Sequence, residues 1–209
     1  MMPRRFTIIG DGPTDRALVP IVNWVLCQIP SYANKGFVVD FTAARGPDGL
    51  SLQSRLPVAL HDFPSDVFFV HRDAERESLD TRIAEIEAAV QMLRDRFVPL
   101  FPVRMTEAWL LIDVAAIRRA ADNPNGTVPL PIPPLARLES LPDPKETCNT
   151  LLIQASEKSG RRRERFNRPS ELGFRRIRIA GLINDFSPLK QLPAFCTFCD
   201  RVQAACQGL

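Results

Sequence analysis

DVFFVHRDAERE, residues 66–77, is the stretch that decides the fold of this chain. Its four apolar residues, Val67 to Val70, are too few for a useful helix. Their β-branched and aromatic composition is typical of a strand buried on both faces of a parallel sheet. The apolar run stops abruptly at the sequence HRDAE, residues 71–75. We therefore predict a central strand whose carboxyl end leads directly into charged side chains.

Two carboxylates follow this predicted strand. Ligands of open α/β proteins bind at the carboxyl edge of the sheet, where Asp73 and Glu75 are expected. Separated by one residue in an extended turn, the two carboxylates can converge on one side, and such oxygen ligands suit Mg²⁺ or Mn²⁺. The alternative is that Asp73 caps a helix beginning near Ser78, while Glu75 and Glu77 complement the helix dipole. This stretch alone leaves both interpretations open.

The composition is that of a globular protein with one substantial domain and an extension. The chain has 209 residues, 45% of them apolar and 24% charged, which is enough to bury a core. No apolar run approaches the roughly 18 residues of a membrane span. The N-terminal sequence MMPRRFTIIGDG lacks the small-residue cleavage site of a signal peptide, so we do not expect one.

The cysteines favour a reducing compartment, which we take to be the cytoplasm. Five cysteines are an odd number and form no disulfide-like framework. Cys196 and Cys199 do form a C-x-x-C, but their spacing places them on one apolar helix face. This favours packing over zinc or redox chemistry.

The net charge of +3 conceals a strongly basic segment, Lys158 to Arg178. It contains nine basic residues against two acidic ones, a charge of +7, so the rest of the chain carries about −4. The density of arginine, interrupted by Phe166 and Phe174, predicts a surface that follows the phosphates of nucleic acid. A solvated helix face or a docking site for an acidic protein is the alternative.

Another acid follows the first predicted strand, Arg5–Ile9. This strand ends at GDGPTD, residues 10–15, where the glycines that flank Asp11 allow a tight turn into a helix over Ala17–Ile29. Asp11 is therefore expected at the same sheet edge as Asp73. The turn lacks both the G-x-G-x-x-G spacing and the Lys-Ser/Thr of a phosphate-binding loop, which argues against nucleotide binding there.

The remaining elements of the N-terminal half alternate between strands and helices, which implies right-handed crossovers and a largely parallel sheet. Prolines at positions 99 and 102 indicate that the fourth strand lies at an edge of the sheet. The strands predicted after the first are Gly36–Ala44, Asp66–His71 and Phe97–Val103, and the helices between them are Ser51–His61 and Ser78–Arg96. The fold class is α/β, with a four-stranded, mainly parallel sheet flanked by helices.

A further acid follows the fourth strand. Thr106 is predicted to cap a helix that runs to about Ala121, which leaves Glu107 in its first turn at the edge shared with Asp11 and Asp73. One acid from each of three strand ends is more than helix capping requires. We therefore predict that these acids share a function.

The C-terminal part is predicted to be a helical extension. Six prolines in Asn123–Pro142 indicate an irregular arm, after which Asp143 and Pro144 are typical of a helix start. Helices are predicted over Lys145–Lys158, Ser170–Ile183 and Leu192–Gln207, with a basic loop between the first two. We divide the chain into an α/β domain, residues 1–122, and an extension packed on it, residues 123–209.

Together, these motifs resemble the TOPRIM fold, the Rossmann-like arrangement shared by topoisomerases, bacterial primases and OLD-family nucleases. In that fold a glutamate follows the first strand and an Asp-x-Asp follows the third, and these acids bind divalent metal. Asp11, Asp73 and Glu75 stand at the corresponding positions. Aspartate at position 11 and glutamate at position 75 depart from the pattern, because each keeps the charge but shifts the carboxylate by one methylene.

More narrowly, the sequences HRDA, TEAWLL and DPK resemble an uncharacterised bacterial TOPRIM-like family, a domain-of-unknown-function family often encoded beside a partner ATPase. The resemblance implies a metal-dependent endonuclease that acts in phage defence with that ATPase. It also implies that Lys145 reaches the scissile phosphate, as a lysine does in OLD-like nucleases. The alternative is a first-turn helix lysine that faces water.

This resemblance and the charge pattern define the candidate site residues. Phosphodiester hydrolysis needs a hydroxide near neutral pH and neutralisation of transition-state charge, which one or two Mg²⁺ ions supply. The catalytic candidates are Asp11, Asp73, Glu75, Glu107 and Lys145, and the four acids among them are the candidate ligands of Mg²⁺ or Mn²⁺. The candidate substrate-binding residues are Arg72, Arg104, Arg161, Arg162, Arg163 and Arg165. His71 closes a buried strand, which favours a hydrogen-bonded packing residue over a proton carrier.

Two other classes of function fit parts of the sequence. One is a non-catalytic TOPRIM-like module that binds nucleic acid or a partner protein. The other is a phosphoacceptor signalling domain, whose pattern is loosely matched by Asp11, Asp73, Thr106 and Lys145. That domain would leave Glu107 and the basic segment unexplained, so it is the weaker of the two.

Overall fold

The computed structural model describes residues 4–30, 37–43, 52–71, 97–100 and 106–207. Within these ranges, parallel strands form a four-stranded sheet in the order β2-β1-β3-β4. Their bounds are Arg4–Gly10 (β1), Phe37–Ala43 (β2), Val67–His71 (β3) and Phe97–Leu100 (β4). Because helices flank this sheet, the predicted α/β fold class is confirmed.

β3 is an interior strand, as its composition predicts. All five of its residues are buried, and it pairs with β1 on one side and β4 on the other. A strand covered on both faces needs no polar positions, which explains its continuous apolar run. β4 lies at the edge of the sheet and contains Pro99, whose missing N–H is tolerated there. The predicted positions of both strands are therefore confirmed.

Two α-helices are described in the N-terminal half. β1 leads through a 3₁₀ turn, Pro13–Ala17, into α1, Leu18–Cys27. The buried residues of α1 recur at spacings of one, three and four, so one side of the helix enters the core. α2, Leu52–Asp62, precedes β3. The predicted helix over Ser78–Arg96 lies outside the described residues.

The predicted continuous helix from Thr106 to Ala121 is wrong. The chain forms a 3₁₀ turn, Thr106–Leu110, and then a separate helix α3, Val114–Ala120. Asp113 starts α3 as its N-cap, because its Oδ1 accepts a hydrogen bond from Ala116 N at 2.9 Å. Thr106 Oγ1 is buried and makes no hydrogen bond within the described ranges, so this hydroxyl is not a cap.

The C-terminal part is an arm followed by helices. As predicted, residues 123–142 are irregular apart from a 3₁₀ turn, Leu135–Ser140, and Asp143 caps the next helix by accepting a hydrogen bond from Glu146 N at 2.8 Å. The predicted basic loop is wrong, since a short helix occupies it. The elements are α4, Pro144–Ser156; α5, Gly160–Phe166; α6, Pro169–Leu182; a 3₁₀ turn, Ser187–Gln191; and α7, Pro193–Gln207.

The main hydrophobic core runs without interruption from β1 to α7. Phe195 and Phe198 of α7 pack on Trp109, with ring centroids 5.1 and 6.0 Å from it. Phe198 also meets Phe69 of β3 at 6.2 Å. The C-terminal helices and the sheet therefore contribute to the same core. Among the described helices, none is long and apolar enough to cross a membrane.

Candidate functional site at the carboxyl edge of the sheet

Asp11 lies at the carboxyl end of β1, directly after the last residue of the strand, and is partly exposed. The turn at this point depends on Gly10. A Cβ added to Gly10 would lie 2.9 Å from Asp15 Cβ, closer than real Cβ atoms come, and 3.1 Å from Phe41 Cε2, tighter than most Cβ contacts. Glycine therefore permits the close approach that brings Asp15 under the end of the strand.

Asp15 holds the turn around Asp11 in place. Its Oδ2 accepts hydrogen bonds from Asp11 N at 2.7 Å and from Gly12 N at 2.9 Å, and the residue is only 6% exposed. In a phosphate-binding loop, backbone N–H groups of this kind would point at a phosphate. Here the protein's own carboxylate occupies them. This agrees with the absence of phosphate-loop spacing in the sequence.

His71 ends β3 and lies beside Asp15. Its Nδ1 is 3.0 Å from Leu100 O, and because a carbonyl oxygen can only accept, Nδ1 carries the hydrogen. Nε2 therefore faces the Asp15 carboxylate, 3.9 Å from Oδ1. His71 is 1% exposed, so the structure agrees with the predicted hydrogen-bonded packing role. The ring links the carboxyl ends of β1, β3 and β4.

The carboxyl ends of β1 and β3 are neighbours. The two strands pair in parallel, with Ile9 opposite Val70, so Asp11 lies at the edge where β3 ends in His71. The predicted site residues Arg72, Asp73, Glu75 and Arg104 lie outside the described residues. Within the described ranges, no group of three or more His, Cys, Asp or Glu side chains is placed to hold a metal ion. The four-acid ligand set therefore stays a prediction.

Glu107 lies beside a buried arginine. Nε of Arg176, in α6, is 2.9 Å from Glu107 Oε1, and the two side chains are 6% and 13% exposed. The Arg176 Nε–H is not aligned for a hydrogen bond, whereas its Nη1 donates one to Asn149 Oδ1 at 2.7 Å. Each charge offsets the cost of burying the other. A metal ion at Glu107 would have to share this carboxylate with Arg176.

Cys148 of α4 lies near this ion pair but has no nucleophilic character. Burial raises the pKa of its thiol to about 12, and the negative charge of Glu107 adds to the effect while Arg176 opposes it. The thiol is therefore protonated at neutral pH.

The C-x-x-C in α7 is also a packing feature. Burial raises the pKa of the Cys199 thiol to about 11, and Cys196 Sγ donates a hydrogen bond to Lys190 O at 2.9 Å. Neither cysteine is in a disulfide. Cys199 packs against the main core, which agrees with its predicted packing role, whereas Cys196 is half-buried.

Lys145 is exposed in the first turn of α4. Its side chain forms no hydrogen bond or ion pair with any residue in the described ranges, and no described contact links it to Asp11 or Glu107. This position fits a first-turn lysine that faces water. A contact with a substrate phosphate stays a prediction.

The basic segment divides into a structural part and an exposed part. Arg175 and Arg176 are 8% and 5% exposed, so the expectation that they belong to a surface is wrong. Arg175 donates hydrogen bonds to Glu171 and to Ala120 O, and it pairs with Asp122 Oδ2 at 2.6 Å. These contacts tie α6 to the end of α3.

The exposed part is centred on α5. The predicted substrate-binding residues Arg161, Arg162, Arg163 and Arg165 are all exposed there. Within the described ranges, none of these four side chains forms a hydrogen bond or an ion pair. Their predicted role in binding phosphates is compatible with this position.

Sequence reasoning missed Asp15 and Arg176. Asp15 had a local signal, because an acid three residues after Gly12 matches the spacing at which an acid reaches back to a helix start. Arg176 had no local signal. Its partners, Glu107 and Asn149, are far away in the sequence and come together only through tertiary packing.

Comparisons of the chain with protein-family models, curated proteins and solved structures found no match. The chemistry of its own residues is therefore the basis for assigning a function.

Proposed function

We propose that the chain is a divalent-metal-dependent nuclease whose metal site lies at the carboxyl ends of β1 and β3. The observation that carries this proposal is the parallel pairing of the two strands, with Ile9 opposite Val70. It supports a site where Asp11 meets the acidic sequence that begins two residues after His71. Ligands of open α/β sheets bind at this edge.

Asp11 has the properties of a ligand for a hard cation. It is partly exposed at the sheet edge, and the Asp15 carboxylate fixes its backbone through a 2.7 Å hydrogen bond. Asp73 and Glu75 would complete a set of oxygen ligands of the kind that Mg²⁺ and Mn²⁺ prefer. A bound divalent ion would neutralise phosphate charge and supply a hydroxide near neutral pH.

The exposed arginines of α5 and Lys145 would position the substrate. The exposed arginines of α5 would bind nucleic-acid phosphates, because planar guanidinium groups match phosphate geometry. Lys145, exposed in the first turn of α4, would contact the scissile phosphate. His71 and Asp15 would keep the ends of the strands in register and would not contact the substrate.

A second candidate is a module that binds nucleic acid or a partner ATPase without cleaving nucleic acid. The proximity of Glu107 to Arg176 favours this candidate, since one of the four proposed acids already has a buried partner. The two candidates differ in turnover and not in binding.

Cleavage assays separate the two candidates. Wild-type protein and Asp11→Asn would be incubated with supercoiled DNA, single-stranded DNA and RNA in Mg²⁺, in Mn²⁺ and in EDTA. Asp200→Asn, an exposed acid on α7, is the matched control. We expect Asp11→Asn to lose at least about 100-fold in cleavage rate, the upper range for loss of an outer-shell partner at a metal site. Nucleic-acid binding, measured by anisotropy on the same samples, without metal-dependent cleavage would favour the second candidate. The absence of both nucleic-acid binding and cleavage would contradict the nuclease.

A further inference from the structure

We infer that the substrate is single-stranded nucleic acid, bound through its phosphates by α5 and through a base stacked on Phe174 of α6. This inference rests on the proposed function and names the substrate class of that site. Two separate features carry it, a group of exposed arginines and an exposed aromatic ring.

The first feature is the charge of residues 161–168. Five arginines face one glutamate in this stretch, a net charge of +4. All five are exposed, and none of their side chains forms a hydrogen bond or ion pair within the described ranges. By contrast, Lys158, Arg175 and Arg178 each bind a carbonyl or carboxylate of the protein. No carbonyl or carboxylate in the described part of the chain therefore competes with an anionic partner for the arginines of residues 161–168.

The way α5 is anchored keeps these arginines on the outside. Phe166, at the end of α5, is 3% exposed. The Lys158 and Arg175 cations lie over its ring, 4.8 and 4.5 Å from the centroid. Arg161 and Arg165 are four residues apart and so share one side of the helix. The helix thus uses its phenylalanine for packing and presents its arginines to solvent.

The second feature is Phe174, which is 61% exposed although its neighbours Gly173 and Arg175 are buried. Its ring makes no contact with any other aromatic ring in the described ranges. Single exposed apolar residues are common on protein surfaces. Phe174, however, follows the last of the exposed arginines, Arg168, by six residues. An exposed aromatic ring together with exposed arginines is the combination with which proteins stack bases and bind the backbone of single strands.

The helix that carries Phe174 packs next to the proposed metal site. A Cβ added to Gly173 would lie 3.6 Å from Thr14 Cγ2, in the 3₁₀ turn Pro13–Ala17, which follows Asp11 and contains Asp15. α6 therefore packs on that turn one residue away from Phe174. A base inside a duplex has both faces covered by its neighbours, so a stacking residue here would select single strands.

The test measures binding without metal, so it is independent of cleavage. A fluorescein-labelled DNA oligonucleotide, alone or annealed to its complement, would be titrated with the full chain in EDTA and followed by anisotropy. We expect the single strand to bind more tightly than the duplex. Phe174→Ala should weaken single-strand binding about fivefold or more, the lower range for loss of one stacked base. Phe174→Trp should retain it, and Phe174→Leu should not.

The arginines are tested in the same titration. Arg161→Ala/Arg165→Ala should weaken single-strand binding and lower its logarithmic salt dependence by about 1.4, which corresponds to two phosphate contacts. Arg137→Ala, an exposed arginine in the arm, is the matched control and should bind like the wild type.

Several outcomes would overturn the inference. They are duplex binding as tight as single-strand binding, a Phe174→Leu variant that binds like the wild type, or the absence of any binding. None of these outcomes would contradict the proposed metal site, because the Asp11→Asn cleavage assay tests that site separately. Conversely, single-strand binding that depends on Phe174 would support the inference even if no cleavage occurred.

Discussion

At the scale of single residues, Asp15 determines the geometry around Asp11. One carboxylate oxygen of Asp15 accepts two backbone N–H groups, and the other faces His71. The sequence predicts a function for Asp11 but gives no such prediction for Asp15. The position of Asp11 thus depends on a residue that was not a candidate. Strand composition and turn glycines were enough to predict where Asp11 lies, but not which side chain fixes it.

Replacing Asp15 should destabilise the fold. Asp15→Ala would leave the N–H groups of Asp11 and Gly12 without their acceptor beneath the strand end. We expect a loss of about 3 kcal/mol in the free energy of unfolding, because hydrogen bonds to a charged group contribute about 1.5–3 kcal/mol and an unsatisfied buried donor adds to the cost. Urea unfolding at pH 7 measures this. An exposed control, Asp200→Ala, should change stability by less than about 0.5 kcal/mol, and an equally small change for Asp15→Ala would contradict the role described here.

At the scale of elements, α6 organises the C-terminal part. Its buried arginines reach Glu107 and the end of α3, and its Gly173 packs on the turn after β1. A helix was predictable here from the sequence. The division of its arginines into buried and exposed ones was not, because their partners lie far away in the chain.

The attachment of α6 to Asp122 should depend on pH. Burial acts to raise the pKa of Asp122, but hydrogen bonds and attraction from Arg178 and Arg175 outweigh it, so the pKa lies below the ordinary 3.8. A carboxyl group whose pKa falls on folding stabilises the native state above its unfolded pKa. This contribution is lost as the pH falls through the folded pKa.

Asp122→Asn tests this attachment. Asparagine tolerates the left-handed backbone at this position, φ 58°, so the substitution removes the charge and keeps the conformation. We expect the free energy of unfolding at pH 7 to fall by about 1 kcal/mol. This value is modest because the Asp122 side chain is 44% exposed and water screens its charge. In urea unfolding, the difference in free energy of unfolding between the variant and the wild type should shrink as the pH falls below 3.8, the ordinary pKa of aspartate. A difference that stays constant would mean that the charge of Asp122 contributes nothing.

At the scale of the whole molecule, the sheet and the C-terminal helices share one core. Apolar runs and proline positions were enough to predict a largely parallel sheet with β3 inside it and β4 at its edge. They did not reveal that Phe195 packs against both Trp109 and Trp24, with centroids 5.1 and 6.4 Å away. Contacts between distant aromatic residues leave no periodic pattern in a sequence.

Phe195 should therefore contribute to the stability of the entire chain. Phe195→Ala would leave a cavity between α7, α1 and the turn that contains Trp109. We expect the free energy of unfolding to fall by about 3–5 kcal/mol, the usual range for replacing a buried phenylalanine with alanine. Tryptophan fluorescence and far-UV circular dichroism should report the same shifted transition in urea. Two separate transitions in the wild type would contradict a shared core.

The central claim, a divalent-metal site at the carboxyl ends of β1 and β3, is tested most directly by calorimetric titration of Mn²⁺. The samples are the wild type, Asp11→Asn, the double variant Asp73→Asn/Glu75→Gln and the control Asp200→Asn. We predict that the wild type and the control bind Mn²⁺ equally, and that each of the other two variants loses at least about tenfold in affinity. Mn²⁺ binding by Asp11→Asn that equals the wild type, or no binding by the wild type, would contradict the claim.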